Sequence, residues 1–369
     1  MNQNPLTRLY EFGQSFWWDS LSRRALHDGT IARMRDEDGM RGITSNPSIF
    51  QAAISKSNDY DREVAKLSSS DLDPESIFWE LAVRDIRDAC DLLAPVFEES
   101  DGSDGFVSLE VDPRLAYDAE RTMKEVDHLW DWVDCENLMV KIPATKEGIP
   151  VIRAALEKGR KINVTLLFSR QAYREVMEAY LSALEARLAH KRPLENVASV
   201  ASFFVSRLDT LVDAKLSEVG GQKAESLMGK AAVANAKLAY RDFLEVFSGE
   251  RWEKLSRAGA RVQRPLWAST STKNPDYPDT LYVDPLVGKN TVNTIPTVTV
   301  DAYRDHGEPE KDAILKGEAE SSAAIEEIEA LGISLQSATD ELLKEGVEKF
   351  ERSFEGLLEA LREKADAVG

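Results

Sequence analysis

The sequence predicts an α/β fold, a single (β/α)8 barrel of the TIM type that carries additional helices. Short apolar runs alternate with longer helical patterns, there are eight such runs, and the composition shows no break over the 369 residues. A strand-then-helix order favours a parallel sheet with helices packed outside it, and eight units in one continuous chain favour a closed barrel. An open doubly wound sheet is the alternative, and the absence of a GxGxxG fingerprint counts against it. We therefore expect residues 1–369 to form one domain.

Each predicted strand is a short run rich in apolar residues and bounded by polar or turn-forming residues. The runs are Ser15–Leu21, Gly42–Asn46, Phe106–Val111, Leu138–Ala144, Lys161–Phe168, Val197–Val205, Arg264–Thr270 and Thr291–Pro296. Between them, apolar residues recur with a helical period. These helical patterns cover residues 73–98, 114–133, 148–159, 170–191, 226–247 and 252–259.

The segment Asp340–Asp366 has the pattern of an amphipathic helix. One face carries an apolar stripe at alternating steps of four and three, and acidic residues crowd the other face. The stripe consists of Leu343, Val347, Phe350, Phe354, Leu357 and Leu361. We expect this helix to pack on the barrel with a solvated outer surface, and a partner-binding helix is the alternative. The sequence does not distinguish a monomer from a homodimer.

The chain is acidic, with 65 Asp and Glu against 46 Lys and Arg and a formal net charge of −19. In the absence of a basic block, this charge argues against nucleic acid or an anionic membrane as a general partner. Residues 301–369 carry 19 acidic and 8 basic residues, a net −11, so most of the acidic excess lies at the end of the chain. We expect this acidic helical region to pack on the barrel away from the strand ends that build the site.

Several classes of protein are excluded by the absence of their characteristic sequence features. No apolar run approaches the roughly 20 residues needed to span a bilayer, and the N-terminal segment lacks the features of a secretory signal. Only Cys90 and Cys135 occur, too few for a disulfide framework, so we expect a cytoplasmic location. The four histidines stand far apart, and HExxH, CxxC and Walker A motifs are absent. We therefore expect neither a metal site nor a cofactor.

Polar residues interrupt the predicted strands on one side of the sheet. Successive side chains of a strand point to opposite faces, so a polar residue between two apolar neighbours faces away from them. On the fifth strand the apolar set is Ile162, Val164 and Leu166. If the apolar sets face the helices, the polar residues point toward the barrel axis, near the strand ends where (β/α)8 enzymes place their chemistry. The residues concerned are Asp19, Glu110, Lys141, Asn163 and Thr165.

Each of these residues also has a purely structural explanation. Lys141 alone could protect a sheet edge, although a closed barrel has no edge. Glu110 and Asp19 could serve only as ion-pair partners of that lysine. Asn163 and Thr165 could be hydrogen-bonded core residues. Together, however, one lysine, two carboxylates, an amide and a hydroxyl on different strands are the groups that imine chemistry needs.

The chemical reason is direct. A neutral lysine amine attacks a ketone carbonyl and loses water to form a Schiff base. The iminium withdraws electrons from the adjacent carbon, so that a carbon–carbon bond there can break or form. The accompanying proton transfers need a positioned acid or base, which a carboxylate supplies directly or through a water. A metal-dependent aldol reaction would need a histidine-rich site, which four scattered histidines do not offer.

Six segments resemble the transaldolase family. They occur in the family's order, and the joint occurrence of TSNP, KIPAT and NVTLLFS is highly specific. The segments are GITSNPSIF (42–50), VSLEVDPRLAYD (107–118), MVKIPAT (139–145), INVTLLFS (162–169), ASFFVSRLDT (201–210) and RPLWASTSTKNP (264–275). The length of the chain and the form WASTSTKNP resemble the longer transaldolase subgroup rather than the shorter fructose 6-phosphate aldolases.

The resemblance implies a class I aldol mechanism in a barrel enzyme of the pentose phosphate pathway. Such an enzyme moves a dihydroxyacetone unit from sedoheptulose 7-phosphate to glyceraldehyde 3-phosphate, giving erythrose 4-phosphate and fructose 6-phosphate. Lys141 matches the Schiff-base lysine and Glu110 the acid/base that works through a water. Asp19 matches the carboxylate that handles the hydroxyl proton of the cleaved bond.

The same motifs imply binding and positioning roles. Thr165 matches the hydroxyl that positions the water, and Asn46 and Asn163 match residues that hold the three-carbon unit. The matches for substrate and phosphate contacts are Ser202, Arg207 and Ser269. These assignments come from the resemblance and are expectations for this chain.

One position departs from the shorter relatives, which carry an arginine two residues beyond the equivalent of Ser269. This chain has Ser271 there, and we hypothesise that Lys273 supplies the positive charge. A phosphate dianion prefers at least two cationic or amide donors, which Arg207 and Lys273 would provide. The alternative is a lysine in a solvated loop.

Two other functions stay open on residue types alone. One is a fructose 6-phosphate aldolase-like lyase that uses the same lysine but releases free dihydroxyacetone. The other is a non-catalytic sugar-phosphate-binding barrel, although Lys141 and both carboxylates are retained. The resemblance favours the transferase.

Overall fold

The computed structural model describes residues 4–70 and 72–368. Its eight parallel strands close into a barrel in chain order, which confirms the predicted fold class. The strands are β1 (Gln14–Trp18), β2 (Gly42–Thr44), β3 (Phe106–Glu110), β4 (Leu138–Pro143), β5 (Ile162–Leu167), β6 (Ser199–Phe204), β7 (Arg264–Ala268) and β8 (Thr291–Ile295). Every predicted strand is present, and only the ends differ by a few residues.

Helices surround the barrel. They are α1 (Pro5–Glu11), α2 (Arg23–His27), α3 (Thr30–Glu37), α4 (Pro47–Ser55), α5 (Asp61–Ser68), α6 (Pro74–Glu99), α7 (Ala119–Val133), α8 (Gly148–Lys158), α9 (Arg170–Ala189), α10 (Ser206–Val219), α11 (Gly221–Glu225), α12 (Ala231–Val246), α13 (Gly249–Arg257), α14 (Thr297–His306), α15 (Glu318–Ala330) and α16 (Leu335–Val368). The helix predicted over 114–133 begins later, because the Asp118 side chain accepts a hydrogen bond from the Arg121 N–H and caps it there. Within 4–70 and 72–368, no helix is both long and apolar enough to cross a membrane.

The register of three adjacent strands aligns the polar residues. Glu110 of β3 lies opposite Lys141 of β4, and Lys141 lies opposite Asn163 of β5. The alternating neighbours Val140 and Ile142 are fully buried where β4 meets α7 and α8. The strand alternation therefore turns the polar set of β3, β4 and β5 away from the helices, as predicted.

The alternation fails at the end of β5. The pairing of β5 with β6 shifts register between Val164 and Leu167, and Leu166 adopts the left-handed conformation at φ 58°. The prediction that Leu166 continues the face of Ile162 and Val164 is therefore wrong, because an irregular residue breaks the period of two. A non-glycine residue in this conformation costs about 1–2 kcal/mol.

The connection from β7 to β8 also departs from a regular barrel. Its described secondary structure is a single 3-10 turn, Asp284–Leu286, and α12 instead fills the outer layer between α9 and α15. Two tyrosines fasten this connection to α10: Tyr277 donates to Asp213 (2.7 Å) and Tyr282 to Asp209 (2.8 Å). The loop that follows β7 is thus held close to the carboxyl ends of the strands.

Helix α16 lies over the strand ends rather than away from them, so the expected separation of the acidic region from the site is wrong. The predicted apolar stripe is buried from Val347 to Leu361, and Leu343 is half-buried. The stripe needs an apolar partner, and it finds one at this end of the barrel, where the Phe354 ring lies 5.3 Å from that of Phe78. The helix contacts α4, α5, α6, α10 and β5.

Candidate active site

A cavity of about 510 Å³ opens at the carboxyl ends of the strands. Eight of the ten predicted site residues line it: Asp19, Asn46, Lys141, Thr165, Ser202, Arg207, Ser269 and Lys273. The other two, Glu110 and Asn163, lie directly beneath it, beside Lys141 in the strand register. We call Asp19, Glu110, Lys141, Asn163 and Thr165 the floor.

The centre of the floor is a buried ion pair. Lys141 Nζ lies 3.1 Å from Glu110 Oε2, and the two side chains are 5% and 4% exposed. The same ammonium donates a hydrogen bond to the Ser45 carbonyl (2.9 Å). Burial raises the pKa of Glu110, and the charge of Lys141 opposes that shift. Glu110 is therefore a carboxylate able to take up and return a proton beside the amine.

Asp19 stands directly after β1, on the other side of the cavity floor. Thr44 Oγ1 donates to Asp19 Oδ1 (2.7 Å), and the Thr44 and Thr294 hydroxyl oxygens are 2.6 Å apart, so Thr294 donates to Thr44. Burial raises the pKa of Asp19, whereas the Thr44 hydrogen bond and the charges of Lys141, Lys273 and Arg207 oppose that shift. The floor thus holds two carboxylates whose pKa values are both raised by burial, as is common for groups that exchange protons in active sites.

Asn163 and Thr165 complete the floor in different ways. The Asn163 amide donates to Ser108 Oγ (3.0 Å) and accepts from Ser202 Oγ (2.6 Å), so Asn163 fixes Ser202 at the cavity wall. Thr165 Oγ1 is buried and has no hydrogen-bond partner in the described part of the chain. Its hydroxyl remains available for a small ligand in the cavity.

Asn46 owes its position to the start of α4. Its side-chain oxygen accepts a hydrogen bond from the Ile49 N–H (3.1 Å), which caps the helix. Within residues 4–70 and 72–368 the amide NH₂ of Asn46 makes no hydrogen bond, so it is the group that Asn46 can offer to a ligand in the cavity.

Cations line the cavity outside the floor. Arg207, in the first turn of α10, places its guanidinium carbon 5.2 Å from the centre of the Phe204 ring and 6.0 Å from that of Phe350. Desolvation, followed by the Arg207 charge, lowers the pKa of Lys273. Lys273 is solvent-exposed but lines the cavity, and its ammonium donates to Ser271 Oγ. Lys273 is thus exposed, as the solvated-loop alternative expects, but it also lines the cavity, which that alternative does not explain.

The segment after β7 carries a second strained residue. Ser269 adopts the left-handed conformation at φ 56°. Its carbonyl accepts from the Ser206 N–H (3.1 Å), and the two hydroxyl oxygens lie 3.0 Å apart. Strained non-glycine residues such as Leu166 and Ser269 are found preferentially where a site constrains the backbone, and both lie at this end of the barrel.

Sequence reasoning missed several residues of the cavity lining. Thr44 and Thr294 support Asp19, and Lys349 and Phe350 enter from α16. Phe350 belongs to the predicted stripe, which indicated burial but not a partner. Lys349 gave no signal, because it stands among acidic residues. We call Arg207, Lys273 and Lys349 the cationic rim. In residues 4–70 and 72–368, no group of three or more His, Cys, Asp or Glu side chains is arranged to hold a metal ion.

Comparison with known proteins identifies the family. The model of the family described as transaldolase/fructose-6-phosphate aldolase matches residues 16–361. A transaldolase of Mycobacterium marinum is 47% identical over 369 residues, which cover 100% of this chain and 99% of the relative. One of Mycolicibacterium smegmatis is 48% identical over 100% of both chains. One of Mycobacterium tuberculosis is 47% identical over 99% of both.

These matches run from β1 into α16, so they include the floor and the rim. The resemblance seen in the six segments is confirmed over nearly the whole chain. This chain therefore belongs to the transaldolase/fructose-6-phosphate aldolase family.

Proposed function

We propose that this chain transfers a dihydroxyacetone unit from sedoheptulose 7-phosphate to glyceraldehyde 3-phosphate through a Schiff base on Lys141. The observation that carries the proposal is the buried amine 3.1 Å from Glu110 at the bottom of a cavity with a cationic rim. The relatives named transaldolase support the same reaction. The proposal includes a cytoplasmic location, which the use of only two cysteines favours.

The first half of the reaction cleaves the donor. Lys141 gives a proton to Glu110, and its free amine adds to the C2 carbonyl of the ketose. Glu110 returns the proton to the carbinolamine hydroxyl, which leaves as water and creates the iminium. Asp19 then takes the proton from the C4 hydroxyl, the C3–C4 bond breaks, and its electron pair moves into an enamine. The shortened aldose, erythrose 4-phosphate, departs.

The second half reverses these steps with another aldehyde. The enamine carbon attacks the carbonyl of glyceraldehyde 3-phosphate, and Asp19 returns its proton to the new alkoxide. Water then hydrolyses the iminium with Glu110 as the base, which releases fructose 6-phosphate and the free amine. In this proposal Thr165, whose hydroxyl has no partner among the described residues, holds that water.

A lyase of the same family would hydrolyse the enamine-derived iminium before an acceptor arrives. The two reactions share Lys141, so they differ only in the fate of the three-carbon unit. The names of the relatives favour transfer, whereas the cationic rim suits both reactions because both act on phosphate esters. Free dihydroxyacetone measured with and without acceptor separates the two reactions.

Trapping tests the central step. Incubation with fructose 6-phosphate followed by borohydride should leave a reduced three-carbon adduct on Lys141, located by peptide mass. Lys141→Ala should abolish both the adduct and the transfer. An adduct on a different lysine, or none, would refute the assignment. A trapped adduct together with free dihydroxyacetone at the same rate with and without acceptor would identify the lyase.

A further inference from the structure

The C-terminal helix brings a lysine to the cavity. Helix α16 packs along α4 and α10 and touches β5. Gly346 permits this approach, because a Cβ there would lie 3.0 Å from Leu166 Cδ2 and 3.6 Å from Arg207 Nη1. About one turn further along, Phe350 lies against Arg207, and Lys349 joins the cavity lining.

Lys349 faces other cations. Within 4–70 and 72–368 its ammonium makes no hydrogen bond and no ion pair. The neighbouring Glu348 is engaged elsewhere, 3.9 Å from the Lys344 ammonium and 3.6 Å from the Arg352 guanidinium. Desolvation first, and then the charges of Arg207, Lys273 and Arg352, lower the pKa of Lys349.

We propose that Lys349 is a phosphate-binding residue and that α16 is thereby part of the substrate site, where it selects phosphorylated over unphosphorylated sugars. This inference rests on the proposed function and names a determinant of its specificity. Neighbouring cations repel one another, and a bound dianion offsets this repulsion because it attracts each of them. A phosphate monoester is largely dianionic at neutral pH, since its second pKa is about 6.

The geometry gives each cation a distinct part. Arg207 lies against the rings of Phe204 and Phe350 and provides a planar donor. Lys273 and Lys349 are exposed and stand on flexible stems in different parts of the chain. They can close on the phosphate after it reaches Arg207. The acidic end of the chain therefore contributes a cation where the anionic substrate needs one.

The test compares two lysines of the same helix. Lys349→Met removes the charge but keeps an apolar stem, and Lys344→Met makes the same change at a side chain that is 76% exposed. We expect Lys349→Met to weaken the binding of inorganic phosphate, measured by calorimetry, about tenfold. The KM for glyceraldehyde 3-phosphate should rise by the same factor, with kcat and the KM for glyceraldehyde unchanged. Lys349→Arg should restore binding, and Lys344→Met should change nothing.

Two results would overturn the inference. One is phosphate binding by Lys349→Met equal to that of the unsubstituted protein. The other is an equal loss for glyceraldehyde and for its phosphate, which would indicate a structural role. Because calorimetry needs no turnover, it judges Lys349 even if no adduct forms on Lys141. Conversely, normal transfer with an unaltered phosphate affinity in Lys349→Met would refute this inference and leave the proposed function standing.

Discussion

The floor and the cationic rim of the cavity are built in different ways. The side chains of the floor project from strands or follow one directly, and Lys141 and Glu110 are buried. The rim is assembled from the first turn of α10, the loop after β7 and the helix α16, and Lys273 and Lys349 are exposed. A strand fixes a side chain through backbone pairing, whereas the rim depends on packing between distant parts of the chain.

This difference decides how each region acts on a substrate. A charge in the buried floor is poorly screened and its effect depends strongly on position. The charges of the two exposed rim lysines, Lys273 and Lys349, are screened by water and salt, so that each contributes a modest share. We therefore expect floor substitutions to lower kcat by large factors and rim substitutions to raise KM by small ones.

The largest effect is expected from Glu110→Gln. The amide cannot take the proton from Lys141 or return it to the carbinolamine, so kcat should fall about 10³-fold. The lost activity should appear in imine formation, measured as a slower rate of borohydride-trapped adduct. Urea unfolding should show that the variant is folded.

A matched variant guards this result. Glu120→Gln makes the same change at a side chain that is 81% exposed and paired with Lys124 on α7. It should retain full activity. If Glu110→Gln kept a normal rate of adduct formation, the floor would act through some other base, and the contrast with the rim would lose its main support.

Asp19→Asn should lower kcat about 10²-fold, because the C4 hydroxyl loses its proton acceptor while the iminium can still form. The expected signature is qualitative. With fructose 6-phosphate, trapping should yield an adduct that contains the whole six-carbon sugar phosphate instead of the three-carbon unit. A three-carbon adduct at the normal rate would show that Asp19 is not the group that drives cleavage.

The floor could be predicted from the sequence because its residues follow the alternation of side chains along a strand, which is a local property. The period of two along a strand placed Lys141 and Glu110 on one face, and the order of the strands made them neighbours. The rule holds while the backbone is regular. It failed at Leu166, where an irregular residue of positive φ breaks the alternation and no residue type announces it.

The rim could be predicted from the sequence only in part. Ser269 follows β7 directly and Arg207 stands in the first turn after β6, so motif and position indicated them together. Lys349 lines the cavity only because α16 covers this end of the barrel. The apolar stripe around Phe350 predicts that one face of α16 is buried, but it does not predict which part of the barrel that face covers. The net charge of residues 301–369 did not indicate Lys349, because a sum over the whole segment does not show which side chain of α16 reaches the cavity.

The support of the rim can be tested through Asp209. On α10 its carboxylate accepts from the Ala232 N–H (2.8 Å) and from the Tyr282 hydroxyl (2.8 Å), and so joins the helix of Arg207 to the connection that carries Lys273. Burial raises the pKa of Asp209 to about 6, against the opposing effect of these hydrogen bonds. The folded protein therefore keeps this proton over a range in which the unfolded chain has lost it.

The sign of the pH effect follows. Because the folded-state pKa is raised, the contribution of Asp209 to stability is greatest below pH 4 and is lost as the pH rises to about 6. Asp209→Asn has no such proton. Near pH 4 the variant should match the parent in its free energy of unfolding by urea, and at pH 7 it should be more stable by up to about 3 kcal/mol. A difference that is constant with pH would refute the raised pKa.

The smallest effect is expected at Lys273. Lys273→Ala removes one exposed cation while Arg207 and Lys349 remain, so the KM for glyceraldehyde 3-phosphate should rise about fivefold to tenfold with little change in kcat. Added salt should narrow the gap between the variant and the parent, because screening already weakens the lost attraction.

Glyceraldehyde, which lacks the phosphate, provides the internal control for Lys273. Its KM should be the same in Lys273→Ala and in the parent, since the aldehyde carbon meets the floor and not the rim. An equal loss for both acceptors would mean that Lys273 shapes the loop after β7 rather than binding phosphate. If Lys273→Ala lowered kcat as much as Asp19→Asn, the distinction between floor and rim would be refuted, because an exposed lysine would then be acting on the bond that breaks.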